Sequence, residues 1–297
     1  MHIAAAMLRT GVNIDSKGNL VGKDTKIQWA RSTFSPWIGC TRVSPDCDHC
    51  YAEAWDRRYK GALHWGPGQP RMHTSLKYWE QPAKWNEEAA RTRSFWPVFG
   101  GSMCDVFDNE VDDSWRTTYW KLIERTPALT WLLLTKRIGN VMRMVPSTWR
   151  TRGFPHHVWI MMTCGEQELF DRDWPKLAEI PSSIRGVSVE PMRGPVVFPQ
   201  ECAGRLDWAI YGGESTQAGA EPRPCRLEWF EQGIENCREL GVRPFIKQLG
   251  DNATYAGKRM LEPDDMSTWP AHLRIQEWPK PKVASLPADW PFKNVTP

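Results

Sequence analysis

Leu129-Thr130-Trp131-Leu132-Leu133-Leu134-Thr135-Lys136-Arg137 is an apolar run that ends in two cations. Apolar residues occupy both parities of the run, as expected of a parallel strand buried on both faces. The same pattern recurs at Trp96–Phe99, Val158–Met162, Gly186–Val189, Leu206–Tyr211 and Arg243–Ile246, each followed by a polar or glycine-containing turn. Intervening segments such as Asp113–Arg125 and Leu227–Leu240 are long enough for crossover helices. Repeated strand–helix alternation predicts an α/β protein with a parallel sheet. With a first strand near Ile27–Trp29, the runs predict a partial or complete (β/α) barrel. An open doubly wound sheet is the alternative, but the first turn has no Gly-x-Gly-x-x-Gly signature for a dinucleotide.

The flanks read differently. Residues 1–24 have little periodicity and read as a loose leader, followed by a barrel domain over 25–255. Tyr51–Tyr59 has helix formers with apolar residues at helical spacing, and Gly61–Pro70 interrupts it. Residues 256–297, rich in Pro and Trp, read as an irregular arm.

Composition narrows the class. The 297 residues can bury a core without disulfides, and eight cysteines are too few for a disulfide scaffold. A net charge of +3 permits an anionic partner without requiring one. No run has the length of a membrane span or a signal peptide, so a soluble chain in a reducing cytoplasm is expected. Eighteen tryptophans are an excess, but Trp79, Trp85, Trp96, Trp115 and Trp120 are scattered rather than interleaved with Arg or Lys. That pattern favours packing over base stacking.

Chemistry in parallel α/β folds collects at the carboxyl ends of strands. Here those ends read Phe99-Gly-Gly-Ser-Met-Cys-Asp105, Leu134-Thr-Lys-Arg137, Met162-Thr-Cys-Gly-Glu166, Ser188-Val-Glu-Pro191, Tyr211-Gly-Gly-Glu-Ser215 and Ile246-Lys-Gln248. Gly100, Gly101 and the pair Gly212–Gly213 permit close backbone approach to a ligand, beside Ser102 and Asp105. Lys136 and Arg137 suit a carboxylate or phosphate. Taken singly, each turn is as easily a helix cap or a tight turn. Their joint pattern predicts a ligand cavity, with Lys136, Arg137, Glu190, Glu214 and Lys247 as contacts to substrate or cofactor.

Upstream lies Gly39-Cys-Thr-Arg-Val-Ser-Pro-Asp-Cys-Asp-His-Cys-Tyr51, with Cys40, Cys47 and Cys50 spaced C-x6-C-x2-C. A structural zinc site normally has four ligands. Three thiolates can instead hold an iron–sulfur cubane and leave one iron open for a small molecule. A zinc site completed by His49, His64, His73 or a distant cysteine stays open, as does a redox Cys-x-x-Cys pair. No His-x-Glu accompanies the cysteines, so a zinc deaminase is not supported. Cys104 and Cys164 lie at strand exits that could face the same cavity, whereas Cys202, Cys225 and Cys237 read as packing.

In order along the chain, Pro36-Trp-Ile-Gly-Cys-Thr-Arg-Val-Ser-Pro-Asp-Cys-Asp-His-Cys-Tyr-Ala-Glu53, Gly101-Ser-Met-Cys-Asp-Val-Phe107, Leu133-Leu-Thr-Lys-Arg137, Val187-Ser-Val-Glu-Pro191, Tyr211-Gly-Gly-Glu-Ser215 and Phe245-Ile-Lys-Gln-Leu-Gly250 resemble an uncharacterised phage and bacterial family named for its three-cysteine motif. That family is similar to radical S-adenosylmethionine enzymes. The resemblance implies a partial (β/α) barrel, a [4Fe–4S] cluster and S-adenosylmethionine. It implies cluster ligation by Cys40, Cys47 and Cys50, and puts His49 beside the adenine, where an aromatic is usual. Gly100 and Gly101 would approach the methionine amino group, although the acid of the usual Gly-Gly-Glu is absent. Thr163 and Glu166 are implied at the ribose. The spacing departs from the common C-x3-C-x2-C.

The expected function is therefore radical chemistry on a nucleotide or nucleic acid, by modification or repair, with an electron-donor protein as partner. If the chain is phage-encoded, the compartment is the host cytoplasm. A zinc-stabilised nucleic-acid-binding protein without catalysis and a non-catalytic interaction barrel are the alternatives.

Overall fold

Seven parallel strands form the frame of the computed structural model, which describes residues 13–14, 20–61, 63–217 and 220–280. They are β1 (Ser32–Phe34), β2 (Pro97–Gly100), β3 (Thr130–Thr135), β4 (Val158–Thr163), β5 (Arg185–Val189), β6 (Trp208–Gly212) and β7 (Arg243–Gln248). Their order across the sheet is their order in the chain, so every crossover advances in one direction. Right-handed crossovers that never reverse put all helices on one face and curl the sheet around the other. The result is a half-barrel with β1 and β7 as its edges, not a closed barrel.

The apolar runs become strands because each parity has its own core. Val98, Trp131, Leu133, Ile160, Val187, Ala209 and Ile246 face the helices, while Phe99, Leu132, Trp159, Met161, Trp208, Ile210 and Phe245 face the bore. The outer layer is built from α1 (Tyr51–Tyr59), α2 (Gln81–Thr92), α3 (Asp113–Glu124), α4 (Gln167–Ala178) and α5 (Leu227–Leu240). Asp112 caps α3 by accepting from Ser114 N at 2.7 Å, and α5 stops where Gly241 turns left-handed at φ 71°. The β5–β6 crossover has only a 3₁₀ turn, Gln200–Cys202. No helix among the described residues is long and apolar enough to cross a membrane.

Ile27–Trp29, expected as the first strand, is a turn closed by Ala30 N donating to Ile27 O at 3.0 Å. It delivers Ile27 and Trp29 into the bore, where burial without strand pairing produces the same apolar signature. Part of the expected leader is structured. Asn13–Ile14 pairs with Leu20–Val21, and Thr33 N donates to Gly22 O at 2.8 Å; residues 1–12 and 15–19 lie outside the described residues.

The expected irregular arm is also partly structured. Ala253–Tyr255 pairs with Lys258–Arg259. Further on, Ile246 N donates to Ile275 O at 2.8 Å and Glu277 N to Pro244 O at 3.0 Å, so the chain runs along the free edge of β7. Trp278 then packs in the bore against Trp208, at 4.7 Å between ring centroids, and against Phe95 and Phe245. Residues 281–297 of that arm lie outside the described residues. The tryptophan excess is largely packing: Trp29, Trp37, Trp96, Trp131, Trp159, Trp174, Trp208 and Trp269 are fully buried.

Candidate functional site

The carboxyl ends of the strands open onto a cavity of about 210 Å³, roofed by the cysteine loop. Cys40, Cys47 and Cys50 all line it, with Cys50 as the residue preceding α1. Four tethers hold the loop over the barrel mouth. Asp46, buried, accepts from Gly165 N and from Arg193 Nε, both at 2.8 Å. Arg223 donates to Pro45 O at 3.1 Å and to Glu214 Oε1 at 2.7 Å. His49 Nδ1 lies 3.2 Å from Glu214 Oε1. Arg137 donates to Thr41 O at 2.6 Å and to Cys40 Sγ at 3.3 Å.

Burial raises the Cys50 thiol pKa and pushes that of Cys40 up to about 12, against the opposing pull of the Arg137 guanidinium on Cys40. Burial pulls the Lys136 ammonium down, but Cys47, Cys50, Asp46 and Asp105 outweigh it and the net shift is upward. Burial likewise opposes ionisation of Glu214, yet the hydrogen bonds from Arg223 hold its carboxyl below the usual range.

Most of the expected site residues converge. His49, Gly101, Ser102, Asp105, Lys136, Arg137, Thr163, Glu190, Gly213, Glu214 and Lys247 line the cavity. Lys247 and Glu190 form an ion pair across the ends of β7 and β5. Asp105 is fully engaged, accepting from Thr135 Oγ1 at 2.8 Å, Lys136 N at 3.1 Å and Arg137 at 3.3 Å, so it organises the β3 exit.

Three expected residues fall outside the lining. Gly100 takes the parity of Val98, and a Cβ there would meet Tyr119 Oη at 2.2 Å, so its smallness serves helix packing on the convex face. Glu166 pairs with Arg193 at the start of α4. Gly212 is covered by Glu190, whose Cδ would lie 3.1 Å from an added Cβ. Of the two strand-exit cysteines, Cys104 lines the cavity and Cys164 is buried in the convex core.

Sequence reasoning missed Ser188, Gln248, Asp46, Tyr51 and Trp29 as lining residues. For Ser188 a signal was available. In Ser188-Val-Glu-Pro191 the period of two puts Ser188 on the face of Glu190, and its register partner is Thr163. The Thr163 and Ser188 hydroxyls and the Trp29 indole N–H are buried and without hydrogen-bond partners. Orphaned buried polar atoms are uncommon and each costs about 1–3 kcal/mol. Three of them around one cavity mark a place for a polar ligand. The thiols are not gathered: among the described residues, no group of three His, Cys, Asp or Glu side chains is arranged to hold a metal ion.

A family described as a protein of unknown function, DUF5131, matches residues 24–274. The chain belongs to this family. The matched span takes in the cysteine loop, every strand of the half-barrel and the cavity. No curated protein matches the chain. Among solved structures, a spore photoproduct lyase variant with bound AdoMet and dinucleoside spore photoproduct is similar at TM-score 0.42 and 13% identity, over 71% of this chain and 64% of that one. Another variant, with dinucleoside spore photoproduct, gives 0.44 and 12%, over 77% and 66%. The chain therefore spans 64% to 66% of the length of these two lyases.

Proposed function

We propose that this DUF5131 member is a radical S-adenosylmethionine-type iron–sulfur enzyme acting on a nucleotide or nucleic acid. The observation that carries the reading is one cavity at the strand ends, with three loop thiols on its roof and the unpartnered hydroxyls of Thr163 and Ser188 in its wall. The donor types suit the pair of groups it would receive, soft thiolates for iron and hydroxyls for the polar body of a nucleoside, and the three thiols would have to draw together on loading. When bound, cluster and cofactor together would supply a 5′-deoxyadenosyl radical that abstracts hydrogen from substrate.

Cys40, Cys47 and Cys50 would hold the cluster. Thr163 and Ser188 would hydrogen-bond the cofactor's sugar, and Lys136, facing Cys47 and Cys50, would neutralise its carboxylate. Gly101 and Ser102 lie on the same side, with Ser102 O already engaged by Tyr51 Oη at 2.5 Å. Lys247 and Glu190 offer a donor and an acceptor toward a substrate base. The roof tethers hold the cysteine loop over the mouth. Arg42, Lys136, Arg137 and Lys247 line the cavity together with Asp46, Asp48, Glu53, Asp105, Glu190 and Glu214, so the nucleotide part of the reading is not carried by the charge of the lining.

A specific observation favours a second reading. Cys104 lines the same cavity and its backbone bridges Gly39, beside Cys40. A fourth thiol there would suit a closed structural zinc site. Anaerobic purification separates the two. Stoichiometric zinc in a colourless protein, lost on Cys104→Ala, contradicts the enzyme reading. Iron and sulfide that survive Cys104→Ala support it.

A further inference from the structure

Below its roof the cavity has a floor that the proposed chemistry leaves unused. Ile27, Trp29, Phe99 and Leu134 line it. Phe99 and Leu134 stand on the bore faces of β2 and β3, two residues before Gly101 and Lys136 and so roughly 6.6 Å deeper along the strands. Beneath them Leu132, Trp159 and Met161 are fully buried and close the bore. The four floor residues carry no charge, whereas the rim above them carries Asp105, Lys136, Glu190 and Lys247.

Trp29 is fixed in place by the turn that carries it. Thr25 N donates to Arg31 O at 3.1 Å and Arg31 N to Pro97 O at 2.9 Å, which staples the turn to the start of β2. The Trp29 ring meets Phe99 at 4.7 Å between centroids. The residue is 2% exposed, and its indole N–H has no acceptor among the described residues. Trp37, Trp55 and Trp79 also have unpartnered indole N–H groups, but none of the three lines the cavity. An indole N–H can only donate, so it calls for an acceptor. Apolar walls leave a charged group uncompensated, and the faces of Trp29 and Phe99 favour a flat ring. A ligand that meets all three demands is neutral, planar and carries an acceptor on its edge.

We propose that the floor is a subsite for a neutral heteroaromatic ring of the nucleobase type, with the Trp29 N–H donating to an acceptor on the ring edge. Trp29 is then a specificity residue, which favours such a ring over one of the same shape without an acceptor. That the ring belongs to the substrate rests on the proposed function; the subsite itself needs neither metal nor cofactor.

The test titrates the full-length, metal-free protein calorimetrically with purine and with indole, a bicyclic ring of similar shape without a ring acceptor. Wild type, Trp29→Phe and Leu134→Phe are compared, with folding followed by circular dichroism. Leu134→Phe fills the floor and leaves the N–H in place. Trp29→Phe is expected to lose roughly 3- to 10-fold in purine affinity, the worth of one hydrogen bond, and to keep its indole affinity. Leu134→Phe is expected to weaken both. The proposal is overturned if wild type binds no purine, if Trp29→Phe binds purine as wild type does, or if it loses purine and indole equally. If Trp29→Phe does not fold, unchanged purine affinity in Leu134→Phe overturns it. An equal loss of S-adenosylmethionine affinity in Trp29→Phe would place the cofactor's own adenine on the floor and overturn the assignment to substrate. Trp29-dependent purine binding in a protein that never forms 5′-deoxyadenosine leaves the subsite standing while the enzyme reading fails. Formation of 5′-deoxyadenosine with purine binding indifferent to Trp29 sinks the subsite alone.

Discussion

At the scale of single residues, parity and termination separate function from packing. Along β4 and β5, the bore-facing positions run from Trp159 and Met161 to Thr163, and from Gly186 to Ser188. Each line of apolar contacts ends in a hydroxyl without a partner. Lys247, following Phe245 by two, meets Glu190, following Ser188 by two. Lys247→Met leaves the Glu190 carboxylate, 19% exposed, without its cation. A loss of about 2 kcal/mol in urea-unfolding stability is expected for that uncompensated charge. Under the proposed function the variant also loses substrate turnover while retaining reductive cleavage of S-adenosylmethionine. Loss of both together would move Lys247 from the substrate wall to the cofactor. Thr163, Glu190 and Lys247 were legible in the sequence because they end apolar runs, whereas Ser188, inside the run Gly186–Val189, was missed. Gly100 misled because its place in a Gly-Gly turn said nothing of the tyrosine pressed against it from α3.

At the scale of elements, six of the seven strands and the crossover helices α3 and α5 were legible to within two residues at either end, whereas β1 was missed because the apolar signature lay in the turn at Ile27–Trp29. Leu227–Leu240 forms α5, and the run centred on Leu132 forms β3, because period and burial agree there. The cysteine loop was legible as chemistry but not as architecture. Its tethers come from Arg137, Gly165, Arg193, Glu214 and Arg223, far away in sequence, and no local pattern in residues 40–50 announces them. Asp46 is the most informative of them, since its carboxylate is fully buried against Arg193. Asp46→Ala strips that partner and orphans Gly165 N–H, a loss of about 3 kcal/mol. Faster hydrogen exchange across residues 40–50, with the core of β3 and β4 unchanged, is the expected local signature. Uniform acceleration through the sheet would mean that the loop is no separate unit.

For the molecule as a whole, an open half-barrel has two problems: a bore to fill and an edge to protect. The chain solves both with segments that are neither strand nor helix of the half-barrel. Ile27 and Trp29 enter the bore from one side of the sequence and Trp278 from the other, while residues 275–277 cover β7. Only the Trp and Pro content of the arm hinted at this, and composition cannot specify a docking site. Truncation after Arg274 removes the cover and the plug together. A lower melting temperature and concentration-dependent association through the bared β7 edge are expected, by light scattering; a monodisperse truncation of unchanged stability would contradict this role.

The central claim is that the cavity under the cysteine loop is built for an open iron–sulfur centre and its nucleoside cofactor. Anaerobic reconstitution with iron and sulfide, followed by reductant and S-adenosylmethionine, tests it most directly. The account predicts a brown protein absorbing near ~400 nm, formation of 5′-deoxyadenosine, and loss of both in Cys47→Ala. A colourless protein that binds zinc stoichiometrically and releases no 5′-deoxyadenosine would contradict it.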